Sequence, residues 1–369
     1  MKKIIALILF AASLFTLASC GEKDYAPVES SAVEAQVVMT IEFEEKRYDV
    51  KYELYRALFL SLRKSVDGGD ASVWTSDNKN EYIEKIDGII KKRVTEIYSV
   101  FHIADKIGID VYSKEFNAAV KDYIKMSVEG GYYNGTEVEG FGGDYQKYLE
   151  SLKESNLNYS VQDLLLRYSL ATEKIYEYYA GYLDGEYLEE TVQGKLEYTR
   201  EDVLAFYNSD ECVRVMRAFL PKKYTTAERA SEIRNKIEEK AQYGDEEVGN
   251  YIIGTSSTAS ADVKNGELIA KHNLDTAYYE ELERAAFDLG YYEVSEVIEI
   301  TTGYEDGYII LYRFAKNSSH FDSCYTDIAS VYVQNEIGKI FDTAADSMLS
   351  VIKTTSILDT TDRATITMQ

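Results

Sequence analysis

The side chains able to carry acid–base, nucleophilic or metal chemistry are few: three histidines (His102, His272, His320) and three cysteines (Cys20, Cys212, Cys324) in 369 residues. No Ser-His-Asp, Cys-His or zinc-protease spacing connects them. Three cysteines are too few for a disulfide scaffold or a cysteine-rich zinc site. Asp77, Lys79 and Glu81 partly mimic the alternation of a calcium loop, but a lysine takes a ligand place and no glycine stands sixth, so the run reads as a solvated loop. The segment from Gly130 to Gly143 lacks the Gly-Lys-Ser/Thr ending of a phosphate loop and reads as a flexible connection. Asn134 and Thr136 form a glycosylation-type triplet. No metal and no cofactor is expected. His102 falls within an apolar helix stripe and reads as a core or boundary histidine.

Tyrosine is abundant instead, at 33 residues, with Tyr132-Tyr133, Tyr178-Tyr179, Tyr278-Tyr279 and Tyr291-Tyr292 standing beside acidic residues. A tyrosine buries a large ring at low entropy cost while its hydroxyl tolerates water. Such rings suit core packing, and where exposed they suit a surface that grips many unfolded sequences weakly. The charge balance, 40 basic against 64 acidic residues, repels nucleic acid and anionic lipid, so no nucleic-acid partner is expected.

The elements that must position these residues are mostly helical. VVMTIEFEEKRYDVKYELYRALFLSL alternates like a short strand or hairpin and then turns helical. A helix is predicted from about Asn80 to Lys106, with Ile86, Ile90, Val94, Ile97, Phe101 and Ala104 as its stripe and Gly108 closing it. Ser113 starts the next helix, and a shorter one covers Tyr145 to Lys153. Ser160 with Asp163 reads as a capping box, and Thr199 with Asp202 opens a helix ending at Asn208. VRVMRAFLP reads as a strand. TTAERASEIRNKIEEKAQYG then reads as a helix capped by Thr225 and Glu228, with Ala230, Ile233 and Ile237 on one face. After a Ser/Thr loop and NGELI comes a helix with Leu282, Ala285, Ala286 and Leu289 on one side. EVSEVIEI and YIILYRF then form a hairpin. His320 to Lys353 is a further helical run, and ILDTTDRATITMQ alternates like a strand.

At the N-terminus Lys2 and Lys3 precede an apolar run from Ile4 to Leu17, too short and wrongly flanked to span a bilayer. It ends in Leu17-Ala18-Ser19-Cys20, which resembles the lipobox of bacterial lipoproteins. That resemblance implies lipidation of Cys20 and anchorage at the extracytoplasmic face of the cell membrane. Residues 21–36 are polar and read as a flexible tether.

The ordered set from Cys212 to Lys316, with A-F-x-L, E-V-S-x-x-I and G-Y-x-x-x-Y-I-I in its second half, resembles a parvulin domain of the peptidyl-prolyl isomerases. By that resemblance Ala218 takes the histidine place on the first strand. Tyr308 takes the histidine place on the last strand, after an apparent insertion at Glu305, Asp306 and Gly307. Thr258 falls near the loop Cys or Asp. Leu268, Tyr278, Leu282 and Tyr308 would line the peptide surface. Isomerisation must lower a barrier of about 18–20 kcal/mol, and the family's polar set is replaced, so weak or absent activity is expected. ADKIGIDVYSKEF, LLLRYSLATEKIYEYY and YTREDVLAFYNSDECVRVMRAFL resemble the chaperone region of SurA-type and PrsA-type extracytoplasmic foldases.

The expected architecture is therefore α+β: a helical chaperone-like module built from N- and C-terminal segments, with an inserted parvulin-like α/β domain whose small antiparallel sheet is flanked by helices. The expected divisions are a signal peptide at 1–20, a tether at 21–36, a helical region at 37–207, the parvulin-like domain at 208–317, and a completing helix and strand at 318–369. The function these imply is binding of unfolded, newly exported polypeptides. An active isomerase with a rearranged site around Thr258, Leu268, Leu282 and Tyr308 stands beside it, as does a fixed scaffold for one partner. The resemblance would bring Cys212 near Cys324, yet two free thiols are expected.

Overall fold

The computed structural model describes residues 25–67, 74, 78–133, 136–184, 190–256, 266–272, 279–301, 306–361 and 366. Cys20, Asp77, Asn134, Thr258 and Tyr278 lie outside the described residues. The chain forms two compact units. One joins the residues up to Tyr178 with Phe341–Gln369, and the other is the continuous stretch Tyr179–Ile340.

In the first unit β1 (Val37–Phe43) and β2 (Lys46–Lys51) form an antiparallel hairpin with Ile41 opposite Tyr48. Its two-residue turn, Glu44-Glu45, has φ of 46° and 64°. Such a turn needs the left-handed region at both positions. Glu44 is held there by side-chain contacts, lying 3.2 Å from His102 Nε2 and 2.5 Å from Lys106 Nζ. His102 is buried, with Nδ1 3.0 Å from the Tyr48 hydroxyl, so it is the boundary histidine expected. Helices α1 (Tyr52–Asp67) and α2 (Lys79–Lys106) follow, and the whole predicted stripe of α2 is buried. Ser113 caps α3 (Lys114–Glu129) by accepting from Phe116 N–H at 3.2 Å. The glycine-rich connection is more ordered than expected. It contains a small hairpin, β3 (Gly131–Tyr133) with β4 (Thr136–Val138). Asp144 caps α4 (Tyr145–Glu154). Helix α5 (Tyr159–Ala180) starts earlier than Ser160 implied, because Asn158 Oδ1 accepts from Val161 N–H at 2.9 Å. Ser160 instead donates to buried Glu53 at 2.8 Å.

Residues 25–36 are also not free. The Tyr25 hydroxyl donates to Glu129 at 2.8 Å, and Tyr145 donates to the Ala26 carbonyl at 2.8 Å. Ser30 bonds to Glu53, and Arg56 pairs with Glu34 at 2.8 Å. Polar composition suggested a tether, but these polar groups find specific partners on the folded body.

The second unit opens with a hairpin, β5 (Gly181–Asp184) and β6 (Glu190–Gln193), then α6 (Arg200–Asn208) with the predicted Thr199–Asp202 capping box in place. Strand β7 (Cys212–Pro221) leads to α7 (Ala227–Ala241), capped by Thr226 rather than Thr225. Then come α8 (Asp245–Thr255), β8 (Glu267–Ala270), α9 (Tyr279–Asp288), β9 (Ile298–Thr301) and β10 (Asp306–Arg313). The four strands make an antiparallel sheet in the order β8-β7-β10-β9. The first and last strands of the segment are thus central neighbours. Cys212 and Cys324 are free thiols.

The run from His320 to Lys353 is not one helix. Asn317 caps a short α10 (Ser318–Ser323), and α11 (Tyr325–Leu349) begins after a break at Cys324. A two-residue strand, β11 (Lys353–Thr354), pairs Met39 with Thr354 just before the tail, and the tail opens in a short α12 (Ser356–Thr360); residues 362–365 and 367–369 lie outside the described residues. Strand alternation was read where Leu358 in fact caps the β1 side of the first unit as a fully buried helical residue. The architecture is α+β, with helices predominating around small antiparallel sheets.

Candidate functional site

Alternation along β7 and β10 sorts their side chains onto two faces. Met216, Ala218, Leu220, Tyr308, Ile310 and Tyr312 pack beneath α7 and α8, against Ala230, Ile233, Ile237, Val248 and Ile252. Val213, Val215, Phe219, Ile309 and Leu311 face the other way, with Ile269 and Ile300, and are covered by Leu282 and Ala286 of α9.

This sorting corrects the expected site. Ala218 and Tyr308 share one face, whereas Leu282 lies across the sheet on the other, so these three do not line one surface. Leu268 is partly buried elsewhere, against Tyr332 and neighbouring apolar groups of α6 and α11. The strand positions that do meet the Leu282 face are Phe219 and Ile309, direct cross-strand partners. A one-residue slip moves every side chain of a strand to the opposite face. Asp306 and Gly307 are strand residues paired with Thr301 and Pro221.

Gly307 is needed where it stands. A Cβ there would lie 2.3 Å from Phe219 Cε2 and 3.0 Å from the Leu220 carbonyl oxygen. The Phe219 ring therefore occupies the space above Gly307. Ser256, at the end of α8, fixes the Phe219 backbone by accepting from its N–H at 2.9 Å. Gly307→Ala is expected to destabilise the second unit by about 1–3 kcal/mol through overpacking. Urea unfolding should show this, with partial recovery in Gly307→Ala/Phe219→Leu.

The resulting surface holds little chemistry. Phe219, Ile309 and Leu282 are all buried. Beside them Arg217 Nε lies 3.2 Å from Glu267, whose carboxyl is raised by desolvation and lowered by Arg217. Each of this pair engages the other, and the hydroxyl at the Phe219–Ile309 pair is that of Ser256, which is bonded to the Phe219 backbone. Among the described residues no cluster of three His, Cys, Asp or Glu could hold a metal ion, and no helix is long and apolar enough to cross a membrane.

Sequence reasoning missed a buried polar cluster at the start of the sheet. His320 Nδ1 is 2.9 Å from the Tyr207 hydroxyl, which also accepts from Asn317 N–H at 3.1 Å. Burial, with Arg214 adding to it, holds His320 down to about 4. Lys316 donates to the Ser209 carbonyl at 2.6 Å, and burial lowers its pKa. The sequence spacing of Tyr207, Lys316 and His320 carries no periodic signal.

An open cleft of about 510 Å³ lies on the α7 side, between the end of α7 and the Tyr292–Val294 segment. Its lining is Arg234, Glu238, Ala241, Gln242, Tyr292, Glu293 and Val294. Tyr292 is half exposed, as is Tyr291, and Tyr243 at the end of α7 is 69 % exposed. These rings present apolar area beside hydrogen-bonding groups.

No family model and no curated protein sequence matches the chain. The foldase protein PrsA from Streptococcus pneumoniae is similar at 16 % identity and a TM-score of 0.27, over 78 % of this chain and 92 % of that one. PrsA from Bacillus subtilis is similar at 16 % identity and 0.24, over 89 % and 94 %. The PrsA foldase from Lactococcus lactis is similar at 12 % identity and 0.24, over 88 % and 96 %. Scores of this size leave the fold description resting on the strand order and register above.

Proposed function

We propose that this protein is a lipid-anchored, extracytoplasmic foldase-type chaperone that holds partly unfolded exported polypeptides and lacks parvulin-type isomerase activity. The observation that carries the reading is the apolar Phe219–Ile309 pair packed against Leu282 in a sheet whose first and last strands are neighbours. Both side chains of that pair are apolar, and this supports weak or absent action on a peptide amide. The exposed tyrosines beside the 510 Å³ cleft support weak, broad peptide binding. The net charge of −24 supports a soluble surface and gives no basic patch for membrane or nucleic acid. Anchorage therefore falls to the lipid on Cys20.

The test pairs two assays on the soluble mature chain. Uncatalysed prolyl isomerisation takes tens to hundreds of seconds, and the protein is expected not to shorten it. It should suppress aggregation of a denatured client, and Tyr243→Ala/Tyr292→Ala should weaken that suppression. Acceleration comparable to an ordinary parvulin would establish a rearranged isomerase site instead. Suppression unchanged in the double variant would remove the cleft from the reading.

A further inference from the structure

Tyr25 is clamped at the C-terminal end of α3. Its hydroxyl donates to Glu129, the last residue of that helix, and its ring lies 5.2 Å from that of Tyr145, which holds the Ala26 carbonyl. Only Gly21, Glu22, Lys23 and Asp24 separate Tyr25 from Cys20. Five residue steps reach at most about 18 Å, whereas a free run to Val37 would reach about 60 Å. If Cys20 carries the lipid, this end of α3 cannot stand far from the bilayer. The same end presents aromatic rings outward. Tyr132, on the hairpin that follows Glu129, is 72 % exposed, and Phe141 is 36 % exposed. The Phe141 backbone is tied to the end of α3 through the Val128 carbonyl at 2.8 Å. Tyrosine rings favour the headgroup layer, an apolar ring such as Phe141 can enter beside them, and a net charge of −24 argues against attraction to anionic lipid as the means.

We propose that the α3 C-terminal end is a membrane-resting face, in which Tyr132 and Phe141 enter the headgroup region of the bilayer that holds the lipidated Cys20. The inference rests on the reading of Cys20 as the lipid anchor. It makes the anchor a short orienting strap rather than a long leash.

The chain has a single tryptophan, Trp74, which permits a clean optical test. In a Trp74→Phe background, Tyr132→Trp and Tyr112→Trp each place one reporter at an exposed tyrosine position. Tyr112 precedes the other end of α3, about 24 Å away along sixteen residues of helix. The lipidated protein is bound to phosphatidylcholine vesicles containing brominated lipid, and emission is compared with unbrominated vesicles. Tryptophan at 132 should lose emission and shift to the blue, while tryptophan at 112 should do neither. Absence of the diacylglyceryl group from the N-terminal peptide, with no flotation, would overturn both the anchor and the placement. Flotation without quenching at 132, or with equal quenching at 112, would overturn the placement alone.

Discussion

Ending the chain at Ser350 should unfold the unit built from its two ends. The lost residues include β11, which pairs with β1, and Thr355, whose N–H donates to the Val38 carbonyl at 2.9 Å and whose hydroxyl donates to the Val37 carbonyl at 3.0 Å. They also include Leu358 and Ile366, both buried, and the Ile366 carbonyl that accepts from Arg63 at 3.2 Å. Removal of one buried leucine costs about 2–5 kcal/mol, a large part of the ~5–15 kcal/mol that holds a typical domain together. Leu358→Ala alone should therefore lower the urea midpoint of the first unit clearly, and the truncation should abolish its cooperative transition. The unit from Tyr179 to Ile340 lacks none of its residues in either variant. An unchanged first transition in the truncated chain would show that the returning tail is dispensable.

The second large effect is acid sensitivity centred on His320. Its value near 4 in the folded chain lies below the ordinary 6.5. The unfolded chain therefore binds the proton more readily, and stability falls as pH drops. The contribution is fully present above pH 6.5 and is lost progressively as pH falls from 6.5 through 4. A difference of this size corresponds to about 3 kcal/mol. The cause is local: the ring is buried against Tyr207 of α6, and Arg214 of β7 opposes a second positive charge. Lys316, held to the Ser209 carbonyl in the same cluster, is a further cation there. Denaturant titrations at pH 4.5, 5.5, 6.5 and 7.5 should show the slope in the second unit, and His320→Gln should flatten it. An unaltered slope in His320→Gln would assign the acid sensitivity to other groups.

Much of the fold was legible because its signals are local. The α2 stripe from Ile86 to Ala104 repeats at helical spacing, and Ser113 and the Thr199–Asp202 pair are caps whose chemistry works within four residues. The strand and helix order from Cys212 to Arg313 was readable for the same reason, apart from α8 (Asp245–Thr255), which the sequence reading passed over. The candidate site was less legible. A strand has a period of two, so Tyr308 and Ile309 face opposite sides of the sheet, and Leu282 lies on the side of Ile309. Only the register, Phe219 opposite Ile309, decides between them. Residues 25–36 look like linker because their composition is polar, yet Tyr25, Ser30 and Glu34 are matched by partners far away in sequence. The C-terminal tail alternates like a strand, but its first described residues form a helix that draws Leu358 inward. Each miss concerns a partner that sequence spacing does not encode.

The bond from Thr355 to the Val37 carbonyl joins residues 318 positions apart. A chain extruded N-terminus first must wait for residues 353–355 before the β1 edge is covered. The stretch from Tyr179 to Ile340 has no such delay, being continuous, and can fold while the tail is still emerging. Once folded, it turns a very long closing loop into a much shorter effective one, easing the entropy cost of joining the two ends. Until that moment β1 presents an unpaired edge and an uncovered apolar side, which is where the nascent chain is most open to misassembly.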